Sequence, residues 1–271
     1  MKDCIAPTTT GIPRGLTDSH FHILSMKQKG IDILSLLSAM QDTGFAGGMD
    51  IGTEYDDFSL RHEKASPFPW LRLSVGAGPW AVDSTIDIDY QMATLEDIIR
   101  EHRNKIHALG EIGLDYHWNY GTPEKQKALF VRQLAMATRW NLPVVIHDRD
   151  AHDDIMSCLQ EQCPAHGGIM HCFSGDVDMA MRALDMGFHI SFACNISYKN
   201  NGFLREVARI VPMDRLLVET DSPYLAPLSE RGKINTPLSV HHACRIVADV
   251  KDIPLEDVIA ATAKNFTSLI G

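Results

Sequence analysis

The 271-residue chain carries 25 Lys and Arg against 35 Asp and Glu, a formal charge of −10, with 45% apolar and 22% charged residues. This composition excludes a disordered or collagen-like chain, and the length suffices to bury roughly 70–75% of the unfolded surface without disulfide staples. The acidic balance argues against a surface that binds phosphates non-specifically, and no apolar run approaches the roughly 18–20 residues of a membrane span.

Residues 1–15 (MKDCIAPTTTGIPRG) lack the apolar core of a secretory signal and read as an N-terminal arm, with residues 16–271 as a single domain. Short apolar or β-branched runs then recur at 16–23, 45–52, 71–76, 106–114, 144–147, 168–173, 189–193 and 216–219. Stretches with apolar residues at helical spacing separate them, at 31–41, 92–102, 124–140, 153–161, 177–186 and 202–210. Thr94-x-x-Asp97 offers a capping box, Pro123 after Thr122 suits a first helical turn, and Gly44 and Gly187 suit helix C-termini. Eight alternating units predict an α/β chain whose parallel strands close into a (β/α)8 TIM barrel. A doubly wound open sheet shares the periodicity. Residues 239–250 would be the last barrel helix and 255–269 an extra C-terminal helix. Six cysteines (Cys4, Cys158, Cys163, Cys172, Cys194, Cys244) form no C-x-x-C pair, which predicts free thiols in a cytoplasmic chain.

Polar residues gather where these runs end. Asp18-Ser19-His20-Phe21-His22 puts two imidazoles on one strand face, enough for one divalent ion but weak alone. Later runs contain or end in Glu111, His147, His171, and Glu219 with Asp221. Such groups cost several kcal/mol to bury unless paired or metal-bound, and in a barrel their strand ends share one face. Six candidate ligands, His20, His22, Glu111, His147, His171 and Asp221, exceed the three or four protein ligands of a single zinc. They predict a binuclear site bridged by Glu111, whose carboxylate has two oxygens. Asp18 reads as an orienting partner of a histidine, and Glu219 either as a proton acceptor or as a buried hydrogen-bond anchor. The acidic run 50–57 (DIGTEYDD) reads as a strand end and solvated helix start.

The chain resembles the TatD family of metal-dependent deoxyribonucleases, among the amidohydrolase-like barrel enzymes. The resemblance covers residues 18–269 and is carried by DSHFH (18–22), GEIGLDY (110–116), PVVIHDRDA (143–151), HCFSG (171–175), GFHISFACNISYKN (187–200), ETDSPYLAP (219–227) and RGKIN (231–235). It implies that His20, His22 and Asp221 hold one metal, that His147 and His171 hold a second, and that Glu111 is shared. It also implies hydrolysis of phosphodiester bonds in DNA, usually exonucleolytic. Two positions depart from the family pattern: Ile23-Leu24 where Leu-Asp usually follows the first motif, and Gly76-Ala77-Gly78-Pro79 where Gly-x-His-Pro is common.

The chemistry asks for more than one carboxylate. Phosphodiester hydrolysis needs roughly 15–23 kcal/mol of barrier reduction, whereas a positioned general base supplies about 3–5. Two divalent ions per subunit, Mg2+, Mn2+ or Zn2+, would activate a water and draw a phosphate into an acidic protein, and would sit about 3.5–4 Å apart. Four imidazoles favour Zn2+ or Mn2+, whereas the family resemblance implies Mg2+. Asp221, Glu219 and Glu111 are the candidate catalytic groups. Arg149, Lys199 and Arg231, with Lys233, follow strands on the same face and are candidates for flanking phosphates, with Tyr116, His117, Trp118 and Tyr120 as candidate stacking platforms. The expected partner is DNA, chiefly single-stranded 3′ ends, acted on by a monomer. The alternative is the same metal chemistry on a lactone, amide, phosphotriester or aminoacyl ester.

Overall fold

A computed structural model of the chain describes residues 11–271. Residues 1–10 of the expected N-terminal arm lie outside the described residues. Strands β1 (Thr17–Phe21), β2 (Gly47–Asp50), β3 (Leu71–Val75), β4 (Ala108–Asp115), β5 (Val144–Arg149), β6 (Gly168–Met170), β7 (His189–Phe192) and β8 (Leu216–Val218) form one parallel sheet in chain order. The seam between β8 and β1 is closed by a single bridge, Phe21 to Ser222. Backbone bonds from Asp221 N to His20 O (2.9 Å) and from His22 N to Ser222 O (2.8 Å) reinforce it. The result is the expected barrel.

Helices cover the outside: α1 (Ile23–Gln28), α2 (Ile33–Thr43), α3 (Phe58–Ala65), α4 (Ile88–His102), α5 (Pro123–Trp140), α6 (His152–Glu161), α7 (Val177–Asp185), α8 (Gly202–Ile210) and α9 (Val240–Lys251). The apolar stripe of α5 buries Leu129, Phe130, Leu134 and Ala137. Thr122 caps this helix by accepting from Lys125 N, with Pro123 in the first turn. The proposed capping box at Thr94 is not one. Helix α4 begins six residues earlier, where Asp87 accepts from the Asp89 and Tyr90 amides, so Thr94 lies inside it. Gly44 ends α2 at φ 78°. Helix α10 (Leu255–Ile270) is the extra C-terminal element; its Phe266 and Ile270 pack with Met49, Ile51, Ala108, Val145, Ile169 and Leu217 inside the barrel, opposite the polar strand ends.

Helix α1 and the short turn Pro79–Asp83 were not anticipated, and of α3 only a solvated start was. Helix α3 explains a second difference. Asp50 and Asp57 are buried, not solvated, because α3 sends the fully buried Arg61 between them. Cys158, Cys163, Cys172, Cys194 and Cys244 are free thiols among the described residues. No helix there is long and apolar enough to cross a membrane.

Candidate metal centre

Parallel register brings the polar groups to one mouth. Gly113 lies beside His147 across the β4–β5 ladder, which sets Glu111 two residues below it on β4. The His20 and His22 Nε2 atoms stand 3.1 Å apart and face Asp221 Oδ1 at 3.8 and 3.3 Å. Glu111 Oε2 lies 3.3 Å from His20 Nε2, 3.2 Å from His171 Nε2 and 3.8 Å from His147 Nδ1. All six expected ligands therefore meet. His20, His22 and Asp221 form one group and Glu111, His147 and His171 another, the donor atoms within each lying no more than 4.8 Å apart. A third combination, His20 with His171 and Glu219, spans the two.

The partners behind the histidines decide which ring nitrogens face inward. Asp115 Oδ2 sits 3.1 Å from His147 Nε2, Glu219 Oε1 is 3.2 Å from His171 Nδ1, and the Ile51 carbonyl is 3.4 Å from His22 Nδ1. Each accepts the outward N–H, so the neutral ring turns a lone pair inward. His147 Nδ1 and His171 Nε2 then oppose each other at 3.2 Å beside a Glu111 oxygen that makes no hydrogen bond. Such a cluster of lone pairs repels unless positive charge lies among them. Atoms about 2.1 Å from a shared ion stand roughly 3.0–3.4 Å apart, which matches the closest spacings here. The donor set thus fits divalent cations.

The electrostatics agree. Burial opposes charge on His22, yet its hydrogen bond to Asp221 and the field of Glu111 push the imidazole up to about 9. Burial likewise opposes charge on His171 and His147, but Glu111 with Glu219 or Asp115 raises both. Glu111 overcomes its own burial through His147, His171 and His20 and is held well below the usual carboxylate range. His20 alone is lowered, by burial and by the neighbouring His171, on which it stacks at 3.8 Å. The mouth demands cationic charge.

Two roles read from the sequence become more definite: Asp18 acts on a histidine only through the backbone, and of the two readings of Glu219 the geometry matches the buried hydrogen-bond anchor. Asp18 touches no imidazole. It accepts from the amides of His20 (3.2 Å) and Thr220 (3.0 Å) and from the Thr220 hydroxyl (2.6 Å), fixing His20 through the backbone across the barrel seam. Glu219 is wholly buried and its Oε1 also accepts from Cys172 N at 2.8 Å, so it stands behind His171 and away from the mouth. Asp115, not singled out beforehand, is the matching partner of His147. Its signal was present, since residues four apart on a strand share a face and Asp115 lies four after Glu111.

Arg149, Lys199, Arg231 and Lys233 are all exposed at the mouth, the last three on loops; Arg149, expected after its strand, is instead the final residue of β5, because the ladder with β4 runs on to Asp115. The Arg149 guanidinium lies 5.6 Å over the Trp118 ring and Arg231 lies 5.1 Å over Tyr198. Trp118 is 52% exposed, whereas the Tyr116 hydroxyl is committed to Asp154 at 2.7 Å. The departure at Gly78 has a steric basis: any Cβ there would fall within the Trp80 ring. The indole donates to the Thr53 carbonyl at 3.2 Å and presents its ring to His147, centroids 5.9 Å apart.

A parallel barrel with imidazoles and carboxylates gathered at the ends of its strands defines a class, the metal-dependent hydrolases. Within it the chain belongs to the TatD-related DNase family, whose profile matches residues 17–271. It is 32% identical over 251 residues to the uncharacterized metal-dependent hydrolase YabD of Bacillus subtilis, covering 92% of this chain and 96% of that one. It is 33% identical over 261 residues to the uncharacterized metal-dependent hydrolase YcfH of Escherichia coli, covering 94% and 95%. The crystal structure of YJJV, a TatD homolog from Escherichia coli, superposes with a TM-score of 0.84 at 24% identity, covering 94% of this chain and 98% of that one.

Proposed function

We propose that this chain hydrolyses phosphodiester bonds of DNA, working from single-stranded 3′ ends, at a centre that holds two divalent ions. The observation that carries the reading is the convergence of the inward lone pairs of His22, His147 and His171 on Glu111 and Asp221. His20, His22 and Asp221 would hold one ion, His147 and His171 the other, and Glu111 both; four imidazoles favour Mn2+ or Zn2+ over Mg2+. When bound, the ions would lower the pKa of a water and stabilise the charge that develops on the phosphoryl oxygens.

The chain's own groups divide the remaining work. Asp221, with 16% of its side chain exposed, is open to the mouth and orients the attacking water with its carboxylate while taking up its proton. Asp115 and Glu219 keep the His147 and His171 tautomers fixed. Arg149, Lys199 and Arg231 meet the flanking phosphates, and Trp118 stacks an unpaired base. Trp80 walls one side of the mouth and limits water there.

The test is a 5′-labelled single-stranded oligonucleotide incubated with Mn2+, Mg2+ or Zn2+. The expected product is a ladder shortening from the 3′ end that EDTA abolishes. Failure on every oligonucleotide, with turnover of a lactone, phosphotriester, amide or aminoacyl ester instead, would replace the nuclease reading by hydrolysis of that bond.

A further inference from the structure

Behind the mouth, and touching none of the six ligands, lies a buried charge cluster. The Arg61 side chain is 1% exposed and spends its donors on three segments. Nε bonds Asp57 Oδ1 at 2.8 Å, Nη1 bonds Asp50 Oδ2 at 3.0 Å and the Asp50 carbonyl at 3.3 Å, and Nη2 bonds the Ser74 carbonyl at 2.7 Å. A buried guanidinium with two carboxylates is a costly way to hold a helix against a barrel, and an apolar residue of similar volume would often do as well. What the apolar residue would not supply is where the bonds lead.

They lead to the centre by two routes. Asp50 Oδ1 accepts from the Ile23 amide at 2.8 Å, the peptide directly after His22, and the neighbouring Ile51 carbonyl faces His22 Nδ1. On the other side, Ser74 Oγ accepts from Gly52 N at 3.0 Å and donates to the Gly110 carbonyl at 2.5 Å, while Gly52 O accepts from Glu111 N at 2.8 Å. One planar fork therefore sets the spacing between the backbone of His22 and that of Glu111. These two donors belong to different strands and different groups of the centre.

We propose that Arg61 is a positioning residue for the metal centre, fixing His22 through Asp50 and Glu111 through Ser74. The inference depends on the metal-centre reading of the mouth. A lysine keeps the charge but presents no fixed fork, so it cannot hold both routes at their native separation.

The test is Mn2+ binding to the apo protein, read by calorimetric titration, with Co2+ absorption as a second signature of coordination. Arg61→Lys is measured at a temperature where circular dichroism shows it folded. Ser74→Ala, which removes the hydroxyl bonds to Gly52 and Gly110 and leaves the ion pairs intact, is measured beside it and answers the question if Arg61→Lys does not fold. Thr262→Ala, at a buried hydroxyl on α10 remote from the centre, serves as the stability control. The expected result is a 10–100-fold weaker Mn2+ affinity and a changed Co2+ spectrum in both Arg61→Lys and Ser74→Ala, with the control at parental affinity. Parental affinity in a folded Arg61→Lys, or in Ser74→Ala where the lysine variant does not fold, overturns the positioning role while leaving the metal centre standing. A parent that takes up no Mn2+ overturns both.

Discussion

Glu111 is the residue on which the centre turns. Its oxygen faces three imidazole nitrogens, and removing its charge leaves their lone pairs opposed. Glu111→Gln keeps the shape and loses the anion, so metal-supported turnover is expected to fall by at least about 10²-fold with circular dichroism unchanged; turnover near the parental value would take Glu111 out of the mechanism. His147→Ala is expected to abolish turnover in the same assay. Asp115 acts one bond further out. Asp115→Ala frees the His147 ring to turn or to change tautomer, and the expected cost is about 10–100-fold in metal affinity, read by titration with Mn2+. An unchanged affinity would mean that packing, including the Trp80 edge, holds His147 by itself.

At the scale of elements, α10 closes the barrel end remote from the mouth, where Phe266 is 3% exposed. Phe266→Ala should cost about 3–5 kcal/mol in urea unfolding through the cavity it leaves. Metal affinity should stay parental, because the plug and the centre are at opposite ends of the barrel. All eight strands were legible in the sequence because each is a short apolar run bounded by helical periodicity. The six ligands were legible because a buried imidazole or carboxylate in such a run needs a reason. Helix α1 was not, since six residues (ILSMKQ) are too few to show a period. Helix α3 was legible only as a solvated start: its buried stripe is Phe58, Arg61 and Ala65, and an arginine at the core position makes the segment read as a solvated face. The same disguise concealed Asp50 and Asp57, whose burial is intelligible only once Arg61 is known to lie between them. Trp80 escaped notice because its effect on Gly78 operates through space rather than through a motif.

For the whole molecule, two histidines far from the mouth tie stability to pH. His107, just before β4, accepts from Leu73 N at 3.3 Å, and burial together with Arg72 pushes it down to about 4. His189, at the start of β7, is lowered to about 4 by burial and Arg215, and its Nδ1 has no partner. Both stay neutral in the folded chain at a pH where the unfolded chain, with its histidines near 6.5, has taken up protons. Their contribution is therefore fully present above about pH 6.5, declines as the pH falls toward 4, and levels off below that. Allowing for the partial exposure of His107, the two together should cost about 5 kcal/mol across that interval. Urea unfolding in EDTA at pH 4.0 to 7.0 (~0.5-unit steps) measures it, and His107→Gln with His189→Gln should flatten the profile relative to the parent. Because both proteins carry the same centre, its contribution cancels in the difference. If the two profiles ran parallel, the acid sensitivity would belong to the mouth and its cation-demanding cluster instead of to the strand ends opposite.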